Sequence, residues 1–129
     1  MAKRYLIRVS TEFSAAHVLN GYAGACNRVH GHNWTVEVEA VAHELDEVGM
    51  GIDFRVLRRA TEAITARLDH QLLNEIPPFD EVNPTAENVA AFVYRQLTHD
   101  LEELRDGRAR LQAVTVRENS RSSVTYSED

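Results

Sequence analysis

Three histidines and one cysteine stand close together in the first third of the chain. His30 and His32 are separated by one glycine, Cys26 precedes them, and His17 ends the segment Phe13–His17. Alternate residues of an extended segment point to the same side, so His30 and His32 can present two imidazoles to one cation. With His17 as a third nitrogen donor, the set is typical of a zinc site that keeps one coordination position open for a substrate.

Cys26 is the only cysteine of the sequence and allows three interpretations. Most free cysteines are small buried apolar residues. A nearby dication and Arg28 would instead stabilise a thiolate that can accept a proton, since the pKa of an unperturbed thiol is about 8.5. As a fourth zinc ligand, Cys26 would close the coordination sphere and make the site structural. These alternatives stay open at this stage.

Two further places carry groups that could move protons or hold a substrate. Asp69 and His70 lie at a predicted helix end, where a histidine often serves only as a favourable cation, but where the pair could also join a hydrogen-bonded relay. Glu118 shares the phase of Val114 and Val116, so we expect it on the inward face, where a carboxylate needs a partner. It could accept two hydrogen bonds from a heterocycle, or it could simply be a solvated residue at a strand end.

Two predicted strands carry the histidines. Apolar and polar residues alternate over Tyr5–Phe13, and if the extended conformation continues, His17 keeps the phase of the buried face. A second strand is predicted over about His32–Ala42, with its even positions apolar. His30 shares the even phase. The parity of both strands therefore sends all three histidines toward the covered side of the sheet.

Two amphipathic helices follow. Asp53 is the predicted N-cap of a first helix that ends near Asp69-His70. Thr85 is the predicted N-cap of a second helix, whose apolar stripe runs to Leu104.

The element order predicts the fold class. A third strand is expected around residues 114–118 and a last strand over Ser122–Tyr126. The order ββααββ in a single domain of residues 1–129 predicts an α+β fold, with a four-stranded antiparallel sheet and both helices on one face. Such a sheet leaves edge strands unpaired, so we expect a homo-oligomer.

Composition narrows the functional classes. The 129 residues carry a net charge of −6 and 43% apolar residues. This charge argues against a nucleic-acid partner, which would need a clustered positive surface. A single cysteine suits a reducing compartment, and neither a signal peptide nor a membrane-spanning stretch is recognisable. A cytoplasmic protein is expected.

Several short motifs together resemble the 6-pyruvoyltetrahydropterin synthase family. They occur in family order over nearly the whole chain: Phe13–His17, Cys26-x-x-x-His30-Gly31-His32, Gly51–Phe54, Leu68-Asp69-His70-x-Leu72-Leu73-Asn74, Asn83–Asn88 and Val116–Glu118. Three residues separate Cys26 from His30, as in the bacterial 6-carboxy-tetrahydropterin synthase branch that acts in queuosine and related 7-deazapurine synthesis. The pyruvoyl-forming branch typically has a longer insert at this point.

The resemblance implies a fold and an assembly. In this family the tunnelling fold (T-fold) closes antiparallel sheets from several subunits into a barrel with helices outside. Three subunits form a barrel, and two trimers commonly stack into a hexamer. Active sites then form where subunits meet, so Cys26 and Asp69-His70 need not act within one chain.

The resemblance also implies roles for individual residues. The residues that match the family's zinc ligands are His17, His30 and His32. Cys26 matches the catalytic proton acceptor, and Asp69-His70 matches the relay that manages its proton. Glu118 matches the residue that anchors the pterin ring and is often counted in the relay.

The implied reaction is a lyase reaction on a pterin. The substrate would be 7,8-dihydroneopterin triphosphate, and the products 6-carboxy-5,6,7,8-tetrahydropterin, acetaldehyde and triphosphate. One alternative is the pyruvoyl-forming reaction, which keeps the side-chain carbons. The other is a non-catalytic zinc- or pterin-binding protein whose metal site is closed by Cys26.

Overall fold

Five strands and two helices make up the described part of the fold. The computed structural model of the chain describes residues 3–22, 24, 27–102, 104 and 107–129. In chain order the elements are β1 (Tyr5–His17), β2 (His30–Ala42), α1 (Phe54–Leu68), β3 (Gln71–Leu72), a 3₁₀ turn (Leu73–Glu75), α2 (Ala86–Asp100), β4 (Ala109–Asn119) and β5 (Ser122–Tyr126). The predicted α+β class with two helices is confirmed.

The strands form one sheet in the order β3-β1-β2-β4-β5. Three neighbouring pairs are antiparallel, while β1 and β3 run parallel. The prediction of four strands was wrong because it lacked β3, which pairs Gln71 with Ala15 and Leu72 with Ala16. Two residues are too few to show an alternation, and their pairing depends on the chain returning to β1 after α1.

The strands β1 and β2 are longer than predicted and end at histidines. β1 continues past Phe13 to His17, and β2 begins at His30. Residues 14–16 are small or polar, so the alternation of apolar residues does not continue through them. Each of them nevertheless pairs with a residue of β2. His17 is the register partner of His30, so two candidate ligands form the last pair of this hairpin.

Both helices begin at their predicted caps. The Asp53 side chain accepts a hydrogen bond from the Arg55 N–H at 2.8 Å. The Thr85 hydroxyl accepts one from the Asn88 N–H at 3.1 Å. Each cap satisfies a backbone donor that has no partner within the helix.

The helix ends agree with the sequence for α1 but not for α2. α1 ends at Leu68, as expected, whereas α2 ends at Asp100 and does not reach Leu104. Leu101 has an extended backbone and is only 2% exposed. The apolar spacing that predicted a longer helix indicates which residues are buried, and a residue that follows a helix can be buried as well. Neither described helix has the length and apolar character needed to cross a membrane.

Both helices pack on one face of the sheet. The core on this face joins apolar residues of the three long strands and of both helices, among them Val9, Phe13, Trp34, Val36, Val38, Leu57, Ile64, Val89, Val93, Val114 and Val116. The opposite face is polar. There Arg8 forms an ion pair with Glu39 at 2.7 Å, and the hydroxyls of Thr115 and Thr125 lie 2.7 Å apart.

Candidate metal centre and active site

Three histidines converge at one end of the sheet. Ligand atoms of His17, His30 and His32 all lie within 4.8 Å of one another. The β1–β2 register places His17 opposite His30, and the strand alternation returns His32 to the same face. The sheet therefore brings together the three side chains that the parity argument placed on the covered side.

Backbone carbonyls set the orientation of two of the rings. His17 Nδ1 lies 2.7 Å from the Pro84 carbonyl oxygen, and His30 Nδ1 lies 2.8 Å from the Arg28 carbonyl oxygen. A carbonyl only accepts, so each Nδ1 carries the hydrogen and each Nε2 keeps a free lone pair. Such hydrogen bonds are the usual way in which a protein orients a metal-binding histidine.

Two ring nitrogens of the cluster are buried without a hydrogen-bond partner among the described residues. His17 Nε2 and His32 Nε2 make no hydrogen bond to any residue that the structure describes, although His17 is only 1% exposed. Leaving a buried polar atom unsatisfied is costly, and a divalent cation bound by the three imidazoles would satisfy both nitrogens. The donor set therefore fits a metal ion.

The protonation state of His17 also suits metal binding. Burial lowers the pKa of His17, against the opposing effects of its Pro84 hydrogen bond and the Glu118 charge, while His30 and His32 lower it further. A metal ion binds the neutral imidazole, so a lowered pKa keeps this ligand competent near neutral pH.

His17 should make the stability of the metal-free protein depend on pH. Its pKa lies below 6.5 when folded and at about 6.5 when unfolded, so between the two values the unfolded chain binds more protons. We expect the contribution of His17 to the free energy of unfolding to be fully present above about pH 6.5. This contribution should be lost as the pH falls through the lowered pKa of the folded state.

Urea unfolding of the metal-free protein at about pH 7.5 and about pH 5.5 measures this dependence. The variant His17→Gln, which cannot titrate, should show a smaller loss of unfolding free energy between the two conditions. An equal loss in both proteins would contradict the expectation.

Glu118 brings a carboxylate from β4 to the histidine cluster. Its oxygens lie 4.0 Å from His17 Nε2 and 3.6 Å from His32 Nε2, and its side chain is 28% exposed. The carboxylate thus faces imidazole nitrogens, and not bulk solvent alone. Both distances exceed hydrogen-bond length, so its oxygens can still accept hydrogen bonds from another molecule.

Asp69 and His70 form a direct pair just after α1. Asp69 Oδ2 lies 2.9 Å from His70 Nδ1, and Asp69 Oδ1 accepts the Ser14 N–H at 2.8 Å. Adjacent helical residues cannot face each other, but here Asp69 is extended and His70 has a φ of 59°. The Ser14 hydrogen bond and the His70 ring together lower the pKa of the Asp69 carboxyl.

The contact with Asp69 sets the orientation of the His70 imidazole. With the Nδ1 hydrogen of His70 directed at Asp69, its Nε2 is left to accept or return a proton. The His70 side chain is 81% exposed, so that nitrogen is accessible to another molecule. His70 and His32 also line the same cleft, whose volume is about 500 Å³.

Cys26, the predicted proton acceptor, lies outside the described residues. Along the chain it stands between His17 and His30, two of the candidate ligands.

Some groups of this site were absent from the sequence interpretation. They are the Pro84 carbonyl, the Ser14 N–H and the side-chain amides of Asn74 and Asn83. Backbone groups leave no signal in a sequence. The asparagines stand within motifs of the family resemblance, which was the only signal that could have marked them.

Comparison with known proteins identifies the family. The sequence model described as 6-pyruvoyl tetrahydropterin synthase matches residues 6–129. An Archaeoglobus fulgidus protein, provisionally named 6-carboxy-5,6,7,8-tetrahydropterin synthase, is 40% identical over 75% of this chain and 79% of its own. The Bacillus subtilis 6-carboxy-5,6,7,8-tetrahydropterin synthase is 36% identical over 88% of this chain and 78% of its own.

A solved structure agrees with this assignment. The 6-pyruvoyl tetrahydropterin synthase of Caenorhabditis elegans superposes with a TM-score of 0.83 and 26% identity, covering 98% of this chain and 97% of that one. The resemblance first noted in short motifs thus extends over the whole fold. The chain belongs to the 6-pyruvoyl tetrahydropterin synthase family.

Proposed function

We propose that this protein converts 7,8-dihydroneopterin triphosphate and water into 6-carboxy-5,6,7,8-tetrahydropterin, acetaldehyde and triphosphate. The observation that carries the proposal is the cluster of His17, His30 and His32, with Glu118 beside it. Within the described part of the chain, two buried nitrogens of this cluster have no hydrogen-bond partner. The names of the Archaeoglobus and Bacillus relatives support the carboxy-forming branch. So does the three-residue spacing between Cys26 and His30.

The three histidines would hold a zinc ion. Three neutral imidazoles leave one position of a tetrahedral ion open, which is the usual arrangement at a catalytic zinc. When bound, the ion would supply Lewis acidity toward the side-chain oxygens of the pterin, which makes neighbouring C–H protons easier to remove. Glu118 would accept hydrogen bonds from the pterin ring and so fix its orientation.

Cys26 and the Asp69-His70 pair would move the proton. We assign the thiolate of Cys26 as the base that removes a side-chain proton of the substrate. His70 would take up this proton at Nε2, and the Asp69 carboxylate would stabilise the resulting imidazolium. The electrons released would reduce the pterin ring, so the reaction needs no nicotinamide cofactor.

We also propose that several copies of the chain assemble, as a trimer or a dimer of trimers. Along β1, β3 pairs only with Ala15 and Ala16, and along β4, β5 pairs only with residues 114–119. Free backbone groups on sheet edges favour pairing with another strand. In such an assembly the exposed His70 of one subunit could serve the site of a neighbour.

Product identification tests the proposed reaction. Purified protein loaded with Zn²⁺ is incubated with 7,8-dihydroneopterin triphosphate, and the products are identified by mass spectrometry. Release of acetaldehyde together with a 6-carboxy product is the expected result. A sample stripped of metal by a chelator serves as the control and should be inactive.

The same experiment tests the nearest alternative, the pyruvoyl-forming reaction. The likeness to the Caenorhabditis elegans 6-pyruvoyl tetrahydropterin synthase favours a reaction that eliminates triphosphate and keeps all side-chain carbons. A 6-pyruvoyl product without acetaldehyde would establish that alternative and contradict our proposal. Absence of any turnover by the metal-loaded protein would favour a binding protein.

A further inference from the structure

We propose that the cleft beside Gly31 binds the triphosphate group of the substrate, with Asn33 as a hydrogen-bond donor to it, an inference that rests on the proposed function. The cleft lies at the end of the sheet that carries the histidine cluster, since Gly31 stands between His30 and His32. Its volume of about 500 Å³ falls within the range of about 300–1,000 Å³ that is typical of small-molecule sites.

Gly31 keeps space open in the cleft although its own backbone does not require a glycine. Its φ lies outside the left-handed region that favours glycine. Among the described residues, a Cβ atom at this position would meet only the Ala15 carbonyl oxygen, at an ordinary contact distance of 3.8 Å. Glycine weakens a strand, and where neither a turn nor a close contact explains it, it often marks the approach of a ligand. The missing side chain is therefore consistent with an occupant of the cleft.

The cleft carries no negative charge among the described residues that line it. Those residues that the following argument uses are Ser14, Gly31, His32, Asn33, His70 and Gln71. This is notable in a chain with 20 acidic residues and a net charge of −6. The Asp69 carboxylate lines a separate cleft beside α1, together with Glu12 and Glu62. An anion can thus enter the cleft beside Gly31 without facing a carboxylate on its walls.

Ser14 determines which end of the Asn33 amide is free. The two residues are register partners on the polar face of the sheet, and the Ser14 hydroxyl donates to Asn33 Oδ1 at 2.7 Å. Asn33 Nδ2 makes no hydrogen bond within the described part of the chain. This nitrogen carries two donor hydrogens and accepts none. The free end of the side chain therefore suits an acceptor, and hydrogen bonds to charged phosphate oxygens are the stronger kind.

Among the parts of the proposed substrate, the triphosphate fits such a donor best. The pterin ring is assigned to Glu118, and the side-chain oxygens are assigned to the metal ion. The triphosphate presents only acceptor oxygens and has no other assigned partner. Because His32 and His70 also line the cleft, a group bound there stays beside a metal ligand and beside the residue assigned to proton transfer.

Asn33→Asp is the sharpest test because it removes the donor and keeps the shape. The new carboxylate can still accept the Ser14 hydroxyl, so a merely structural Asn33 would tolerate the change. An anion site predicts that the affinity for inorganic triphosphate falls by more than about 30-fold, and by about 10-fold in Asn33→Ala. Isothermal titration calorimetry on the Zn²⁺-loaded protein measures both affinities.

Thr115→Ala is the matched control. It loses a cross-strand contact of 2.7 Å between the hydroxyls of Thr115 and Thr125, on the same polar face but outside the cleft. This variant should bind inorganic triphosphate as the wild-type protein does. 7,8-Dihydroneopterin, which lacks the triphosphate, is the control ligand, and its affinity should stay at the wild-type value in every variant.

A repeat of the titrations on the metal-free protein separates the cleft from the metal ion. Triphosphate can also coordinate Zn²⁺ directly, and this contribution disappears once the metal is removed. The differences between the wild-type protein, Asn33→Ala and Asn33→Asp should remain.

Gly31→Val tests the cleft by filling it. A β-branched residue suits a strand better than glycine does, so the melting temperature should be at or above the wild-type value. Zn²⁺ affinity should be unchanged. The KM for 7,8-dihydroneopterin triphosphate should rise by about 10-fold or more, with kcat changing by less than about threefold. Should this variant fail to fold, the Asn33→Asp comparison still decides the question.

Four results would overturn the inference. The wild-type protein could fail to bind inorganic triphosphate, or Asn33→Asp could bind it equally well. The variants could lose affinity for 7,8-dihydroneopterin or Zn²⁺ in parallel, which would indicate a general distortion. Triphosphate binding could also vanish when the metal is removed. If the wild-type protein does not turn over the pterin, the proposed function fails, whereas the metal-free titrations still decide whether the cleft binds triphosphate.

Discussion

Replacing Cys26 with alanine is expected to lower kcat by about 100- to 10,000-fold while the bound metal stays at the wild-type content. In the proposed mechanism the three imidazoles are the only protein ligands of the metal, and the thiolate serves only to remove a proton. Steady-state turnover and metal content by mass spectrometry measure the two effects on the same preparation. The prediction depends on a free sulfur next to a metal site that remains open.

The control for this variant is Val29→Ala. Val29 lies in the same loop and is 63% exposed, so its truncation should change neither turnover nor metal content. If Cys26→Ala instead loses the metal, the sulfur is a fourth ligand and the site is structural. If Cys26→Ala keeps full turnover, another group must be the base.

Removing one imidazole should have the second large effect. We expect His32→Ala to weaken metal binding by more than about 100-fold, because even partners that only orient a ligand are worth about 10- to 100-fold. Turnover should be lost in parallel. His32 is a better target than His17, since its side chain is 21% exposed and its truncation leaves a smaller cavity in the core.

Competition with a chromophoric chelator measures the metal affinity of His32→Ala. His43→Ala is the matched control, because His43 is exposed and lies just after β2, at the end of that strand opposite the cluster. This variant should bind metal as the wild-type protein does. Wild-type affinity in His32→Ala would show that the three histidines are not the ligand set.

Sequence alone located the histidine cluster because strand alternation is a local property. The apolar phase of each strand determines which side chains share a face, and His17, His30 and His32 follow that phase. The same argument placed Glu118 on the inward side, where its oxygens approach two of the rings. The N-caps Asp53 and Thr85 were also predicted from local sequence, and both are confirmed.

The Asp69-His70 contact depended on the backbone conformation after α1. Helical spacing argued against a pair of neighbours, and the contact exists only because His70 adopts a positive φ while its N–H bonds to the Ser14 carbonyl. That bond also begins the short strand β3, which the sequence did not predict. The backbone conformation at His70 thus accounts for both the Asp69–His70 contact and the start of β3.

The fold class, the two helices and the residues that share the inward face could be predicted from the sequence, since each follows from spacing between near neighbours. The groups that hold those residues in place could not be predicted, because they become neighbours only in the folded chain. The Pro84 carbonyl on His17 and the Asn83 amide on Asn20 join positions more than sixty residues apart, 67 and 63 in sequence separation. No local pattern encodes such partners, because they exist only once the sheet and α2 have packed together.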